Sequence, residues 1–340
     1  MKVLLTGAEG YIGVRMGHYL LERGHDVTGL DSGFHRVGWL YNTDEQRPKM
    51  FTKDTRHITI EDLQGYDALV HLAEVSNDPV GELNQDVTYK INHEGSLRLA
   101  KLAKEAGIER FVHMSSCSVY GAAGEAPSKE GDPTVPLTSY AKCKVLIEQD
   151  VSPLADDNFS PTFMRNATAF GASPRQRFDL VVNDLAASAY LTNEIRMASD
   201  GTPWRPFVHI LDISHAVACV LDAPRDVIHN EIFNVGSNTA NYQVREIAEI
   251  IGGLIPGCKL VFGDSSADKR NYRADFTKIH EQLPGFEAHW DVERGAKELI
   301  EIFARIGFDE ELYAHRGHTR IKQIKHLLGT QQIDDDFFWL

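Results

Sequence analysis

The 340-residue chain lacks several things at once. No stretch approaches the ~18 consecutive apolar residues of a membrane-crossing helix. The opening MKVLLTG has one lysine and an apolar run stopped at Thr6, too short for the apolar region of a secretory leader. The four cysteines, Cys117, Cys143, Cys219 and Cys258, are widely scattered with no C-x-x-C pair, which excludes a disulfide framework and reads as reduced thiols. Positive charge is outnumbered: 35 Lys and Arg against 49 Asp and Glu give a net charge of −14. This argues against a phosphate-backbone partner, so no nucleic-acid partner is expected, while a single cleft can still be basic. The histidines, His209 and His215 among them, show no ligand spacing such as H-E-x-x-H, and no metal site is assigned. Internal repeats, low-complexity tracts and long linkers are missing too. These absences leave the expectation of a cytoplasmic protein without a membrane partner. Its 42% hydrophobic content is enough to bury a substantial core in one large domain or two moderate ones.

What is present is a rhythm. Residues 3–5 form a short apolar run meeting a turn at Thr6-Gly7, and residues 12–21 carry apolar side chains at helical spacing before Gly24. Strand-like runs follow at 25–31, 66–73 and 110–116, and a long amphipathic helix is predicted over 88–106, with Ile91, Leu97, Leu99, Leu102 and Ala103 on its buried face. Strands alternating with helices of this length imply an α/β fold, a Rossmann-type doubly wound parallel sheet. Beyond about Leu154 the rhythm loosens. Residues 160–171 hold one more strand-like run, a basic loop ASPRQRFD follows, and a strand at 231–235 and a helix at 244–254 are predicted. Arg175 and Arg177 in that loop read as solvated. The expected division is a dinucleotide-binding domain over 1–160 and a smaller C-terminal α/β substrate-binding lobe over 161–340, interleaved with it.

Three glycines, Gly7, Gly10 and Gly13 in TGAEGYIG, lie between the first strand and the first helix. Glycines there let the backbone turn sharply and approach a pyrophosphate at the helix amino terminus. Asp31, at the end of the second strand, supplies a carboxylate that accepts from an adenosine ribose and repels a 2′-phosphate, favouring NAD over NADP. Arg36 is near enough to bear on this choice and reads as an unbonded surface residue.

Tyr140 and Lys144 are four apart in SYAKCKVLIEQD; on a helix they share a face. A phenol near its ordinary pKa of ~10 is a poor base at neutral pH, and a neighbouring ammonium is expected to bring it toward the working range. Ser115-Ser116 end the preceding strand, where open α/β sheets bind ligands, and Ser116 is placed to hold the same substrate oxygen as Tyr140.

Taken together, TGAEGYIG, Asp31, HLA at 71–73, INHEG at 91–95, SSCSVYG, YAKCK, MRNATAFG, VVNDL and RPFVHILD resemble the extended short-chain dehydrogenases/reductases. Within these the match is to the NAD-dependent epimerase/dehydratase group acting on nucleotide-diphosphate sugars. The resemblance implies a catalytic Ser116, Tyr140 and Lys144. It implies cofactor contacts from Gly7, Gly10, Tyr11, Ile12, Gly13, Asp31, Leu72 and Ala73, joined by Tyr140 and Lys144. Substrate contacts fall to Cys117, Ser118, Asn166, Thr168, Asn183, Arg205, Arg270 and Arg273, the arginines suiting a diphosphate. A homodimer is the family's usual assembly. The far end, 319–340, suggests a short amphipathic helix with Ile321, Ile324, Leu327 and Leu328 on one side, docked on its own domain or on a second subunit.

Departures from the pattern narrow the reaction. The family's 4,6-dehydratases carry an Asp-Glu pair after the catalytic Ser/Thr, where this chain has Cys117 and Ser118. Cys117 is read as a structural, uncharged thiol, although some epimerases acting at C3 or C5 carry an acid/base cysteine nearby. Thr168 stands where many relatives have asparagine, with Asn166 expected to substitute in part. The resulting reading is an NAD-dependent nucleotide-sugar epimerase. A ketoreductase or dehydrogenase, a non-standard dehydratase and, more remotely, a non-catalytic NAD sensor are the alternatives.

Overall fold

In the computed structural model, which describes residues 1–124, 126–264 and 270–340, seven runs of branched and aromatic residues become one sheet. They are β1 (Lys2–Thr6), β2 (Asp26–Asp31), β3 (Lys49–Thr52), β4 (Ala68–His71), β5 (Arg110–Ser116), β6 (Ser160–Asn166) and β7 (Glu231–Val235). Their spatial order is β7-β6-β5-β4-β1-β2-β3, and every neighbouring pair is parallel. Every residue of β4 and β6 is buried, as expected when helices cover both faces. Alternation along a strand sends Val3 and Leu5 to one face, with Met16 and Leu20 of the helix Tyr11–Glu22 and Val217 of Ile210–Asp222. Leu4 goes to the other, with Leu99 of Ser96–Glu105 and Ile147 of Ser139–Val151.

Strand order reverses between β1 and β4, so the segments leaving their carboxyl ends diverge and open a crevice. The continuous helix predicted over 88–106 is instead Gln85–Thr88, a π-helical turn Tyr89–Gly95, and Ser96–Glu105. The widened turn presents Asn92, whose side chain accepts from Val75 N (2.7 Å) and donates to Val75 O (2.9 Å). It thereby clamps the loop that leaves β4. The run at 160–171 also splits. After β6 the chain leaves the sheet, and Thr168–Phe170 pairs with Trp204–His209, which pairs in turn with Asn241–Gln243. The chain beyond residue 160 therefore both completes the large sheet and builds the smaller lobe, whose core includes Phe207, Ile247 and Phe303.

The helix Arg320–Gly329 buries Ile324 and Leu327 against Val80, Val87 and Ile91 of the same chain, with Ile321 and Leu328 partly buried beside them. Among the described residues no helix is long and apolar enough to cross a membrane.

Candidate active site

The glycine loop is built so that side chains cannot enter it. Gly7 has φ of 73°, and a Cβ there would lie 2.9 Å from Ala73 N; one on Gly13 would lie 2.1 Å from Gly7 O. Glycine at these positions lets β1, the loop after β4 and the first helix close on one another. That helix starts after Gly10 with no side-chain cap and no acid in its first turn, so its leading N–H groups face the crevice as an anion cradle. A dinucleotide's pyrophosphate fits this geometry. Asp31 accepts from Gly33 N (2.8 Å) and Glu9 N (3.1 Å). Burial raises its pKa while those two bonds lower it, and further lone pairs can accept ribose hydroxyls. Arg36 is not the unbonded surface arginine the sequence suggested, because it is ion-paired with Glu9 and donates to Thr52. The Tyr11 phenol turns inward and donates to Gly171 O (2.7 Å), while Ile12 and Leu72 pack against the core.

Thr138 caps the helix Ser139–Val151 by accepting from Ala141 N (3.2 Å). One turn along, the Lys144 ammonium lies 5.4 Å from the centre of the Tyr140 ring. Lys144 is buried; it donates to Met114 O and is ion-paired with Glu74, whose side chain is 2% exposed. Burial depresses the lysine, but Glu74 and Tyr140 more than offset it, and its pKa ends above the ordinary value. The phenol does not follow the expected course. Burial drives the Tyr140 pKa up, Lys144 pulls it back, Glu74 and Asp78 push it up again, and a hydrogen bond with Ser116 lowers it. The net direction is upward, because the helpful lysine comes with its own buried acid.

Glu74 escaped the reading of the sequence. The available signal was an acid immediately after HLA, at the mouth of a strand buried along its whole length. It also brings together His71, Glu74 and His113, whose ligand-type atoms lie within 4.8 Å of one another. His71 spends both ring nitrogens on Thr6 Oγ1 and Ser96 Oγ, each at 2.7 Å, and Glu74 meets an ammonium. With His71 and Glu74 both engaged, the trio is no ready-made metal site; His113 adds two buried ring nitrogens without a hydrogen-bond partner among the described residues.

Ser116 stays on the crevice side, accepting from Ser118 N (3.1 Å). Its neighbour Ser115 turns away to donate to Glu148 (2.6 Å), which is clamped by Arg165. Several expected substrate contacts are used internally. Cys117 is fully buried and its thiol donates to Arg165 O (3.1 Å); burial pushes its pKa up, so its side chain belongs to the core and not to a substrate. Asn183, also fully buried, accepts from Gly171 N (3.0 Å) and donates to Tyr11 Oη and Arg177 O (both 3.0 Å); it positions the loop that precedes it. Asn166 donates to Ser115 O (3.2 Å) and leaves its own oxygen without a partner among the described residues, as does the Ser118 hydroxyl. Thr168 is half-buried at the start of its short strand.

The arginines divide. Arg205 is buried, donates to Trp204 O (2.7 Å) and lies 5.4 Å from the Tyr272 ring. Arg270 pairs with Asp78 (2.6 Å), an acid that acts on Tyr140, so this arm of the lobe reaches the phenol's surroundings. Arg273 sits over Trp204, 4.9 Å from its ring. Arg175 and Arg177 overturn the solvated reading, being 7% and 6% exposed. Arg175 donates to Arg36 O (2.5 Å), and Arg177 pairs with Asp179 (2.8 Å).

A family model described as the NAD dependent epimerase/dehydratase family matches residues 3–236. Among curated proteins, the low-salt glycan biosynthesis protein Agl12 of Haloferax volcanii is 26% identical over 321 residues, covering 91% of this chain and all of the relative. The UDP-glucuronate 4-epimerase of Thermodesulfobacterium geofontis is 27% identical over 317 residues, 87% of this chain and 94% of the relative. Among solved structures, MoeE5 with UDP-glucuronic acid and NAD superposes with a TM-score of 0.77 at 24% identity over 90% of this chain and 99% of its own. The dTDP-glucose 4,6-dehydratase DesIV of Streptomyces venezuelae gives 0.76 at 24% identity over 92% of this chain and 100% of its own. At these identities the superpositions establish the shared fold.

Proposed function

The chain belongs to the NAD dependent epimerase/dehydratase family, and from that premise we propose that it is an epimerase of a nucleotide-activated sugar working through a transient keto-sugar. It is an enzyme with NAD as its cofactor. The observation that carries the finer reading is the surroundings of the Tyr140 phenol. Ser116 and Lys144 converge on it, while positions 117 and 118 hold no carboxyl group and the Cys117 thiol is sealed in the core. Bound over the glycine loop, NAD supplies the acceptor and return donor of a hydride. In the free protein the phenol is held neutral. The positive nicotinamide of bound NAD would add to Lys144 in favouring the phenolate, and Tyr140 in that form takes the proton of a sugar hydroxyl, with Ser116 holding the same oxygen. After the keto-sugar turns its other face, Tyr140 returns the proton. Arg205 and Arg270 hold the diphosphate through charge-assisted hydrogen bonds. The proposed assembly is a homodimer acting in the cytoplasm, and light scattering tests the dimer.

A second reading draws on Asp78. This acid acts on the phenol, and one of its oxygens is buried without a partner among the described residues, so it could serve as the acid of a non-standard dehydratase. Incubation with a panel of nucleotide sugars and NAD, followed by mass spectrometry and NMR of the product, decides. An epimerase returns an isomer of unchanged mass with no net NADH; loss of water establishes the dehydratase, and stoichiometric NAD turnover a dehydrogenase.

A further inference from the structure

Beyond residue 318 the chain does something that the family model, ending at residue 236, does not describe. It crosses back over the carboxyl ends of β2 and β3. Gln323 donates to Phe34 O (3.0 Å), and the Trp339 indole donates to Ser32 O (2.6 Å) with its ring 5.5 Å from Phe34. On the β3 side, Arg56 donates to Asp336 O (2.7 Å) and lies 3.6 Å from the Phe338 ring, which also stacks on His57. The tail is thus pinned to the two loops that flank Asp31.

Between tail and sheet lies a cavity of about 390 Å³, walled by Ser32, Phe34 and Thr52 below and by Gln323, Gln332 and Trp339 above. Its volume is in the range of small-ligand pockets. Its location is decisive. With a pyrophosphate over Gly7–Gly13 and a ribose at Asp31, the adenosine half of a dinucleotide must lie at the ends of β2 and β3. Gln323 adds an independent observation. It is 2% exposed, its amide N–H is committed to Phe34, and its oxygen is buried with no donor among the described residues. A buried acceptor without a donor costs free energy unless a ligand supplies one, and adenosine brings both ribose hydroxyls and an exocyclic amine. Trp339, 45% exposed, offers an aromatic surface at the rim.

We propose that the segment 320–340 is the outer wall of the adenosine site, with Gln323 and Trp339 as dinucleotide-binding residues, so that NAD is enclosed and exchanges when the tail lifts. This rests on the reading that the crevice binds NAD. The test measures binding of NAD, AMP and nicotinamide mononucleotide to the full-length protein by calorimetry, and NAD release by displacement. Trp339→Ala and Gln323→Leu should each weaken AMP and NAD about tenfold, accelerate NAD release and leave the mononucleotide unchanged. Trp339→Phe should recover most of the AMP affinity. Because Trp339 is half exposed, its variant keeps the test open if Gln323→Leu fails to fold. Variants that bind AMP and NAD like the wild type overturn the wall while leaving the NAD reading intact. Equal losses for AMP and the mononucleotide also overturn it, as general damage. A wild-type protein that binds no dinucleotide sinks both.

Discussion

At the sugar-facing end of the crevice, Lys144 is sealed against Glu74, an acid as buried as itself. At the dinucleotide end three buried guanidiniums, Arg175, Arg177 and Arg320, crowd around Asp179 and Asp31. The two ends answer the same problem differently. Lys144 keeps its proton because its partner is built in. Arg320 is pushed down to about 9, first by burial and then by Arg177, with Asp179 and Asp31 offsetting part of it. Residual positive charge at that end suits an anionic pyrophosphate brought from outside, whereas the other end is neutral before any ligand arrives. On the proposed reading, one end is organised for chemistry and the other for holding the cofactor.

Tyr140→Phe tests that division with the largest effect. Turnover should fall about 10³-fold, the scale of a lost general acid/base, while NAD affinity stays within about twofold of the wild type. A parallel loss of NAD affinity would merge the two ends. Arg320→Met probes the opposite end. NAD binding should weaken about tenfold, or ~1.4 kcal/mol, while the NAD-free protein melts higher, because a cation crowded by like charges has been replaced by an apolar side chain. Calorimetry with NAD and thermal melting without it give the two signs. Lower melting together with unchanged affinity would show that Arg320 is ordinary structural packing.

The same contrast separates what could be read from the sequence from what could not. Gly7 and Gly13 were legible because backbone closure at 2–3 Å excludes every other residue, and Tyr140 with Lys144 because helical spacing alone puts them on one face. The parallel sheet followed from the alternation of apolar runs, and β5 and β7 fall at the predicted bounds. Partners distant in sequence were not legible. Glu74 read as one acid among 49 Asp and Glu until folding placed it on Lys144. Arg175 and Arg177 looked like a solvated loop until folding set Arg175 on Arg36 O and the Trp39 ring and brought the Arg320 backbone, more than 130 residues on, to the Asp179 that pairs with Arg177. The resemblance implied substrate contacts from Asn183 and Cys117, but side-chain direction turns both inward. The π-helical turn at Tyr89–Gly95 answers a tertiary demand from Val75 that helix periodicity cannot express.

Glu74→Gln sharpens the account of the sugar end with an intermediate effect. Glu74 raises both Tyr140 and Lys144. Removing its charge while keeping its shape makes the phenol more acidic, and burial, no longer opposed by Glu74, pulls the ammonium down. Both limbs of the kcat/KM profile should then move toward lower pH together. A profile that loses height without moving would leave Glu74 with a packing role.

The smallest effect concerns stability, and here the two ends should behave alike. Each carries a buried histidine held neutral. His71 beside the sugar end is pushed down to about 3 by burial and then by Lys144. His318 beside the arginines is pushed down to about 4 by burial first, with His315, Arg320 and Arg175 adding to it and a hydrogen bond with Gln176 opposing it. Their unfolded counterparts titrate near ~6.5. As pH falls below that value, the unfolded chain takes up protons that the folded chain refuses, so unfolding gains and stability drops. The contribution is complete above about pH 6.5 and is lost progressively toward the folded values of about 4 for His318 and about 3 for His71. Both side chains are nearly solvent-free, at 1% and 0% exposure, so screening removes little. Between about pH 6.5 and pH 5 each should cost roughly 2 kcal/mol. Denaturant titrations at the two pH values measure the total pH dependence, to which His113 and His35, both pushed down by burial, also contribute, and His71→Gln and His318→Gln should each flatten it by a similar amount. Flattening by one variant alone would show that the two ends differ in how they exclude protons as well as in how they balance charge.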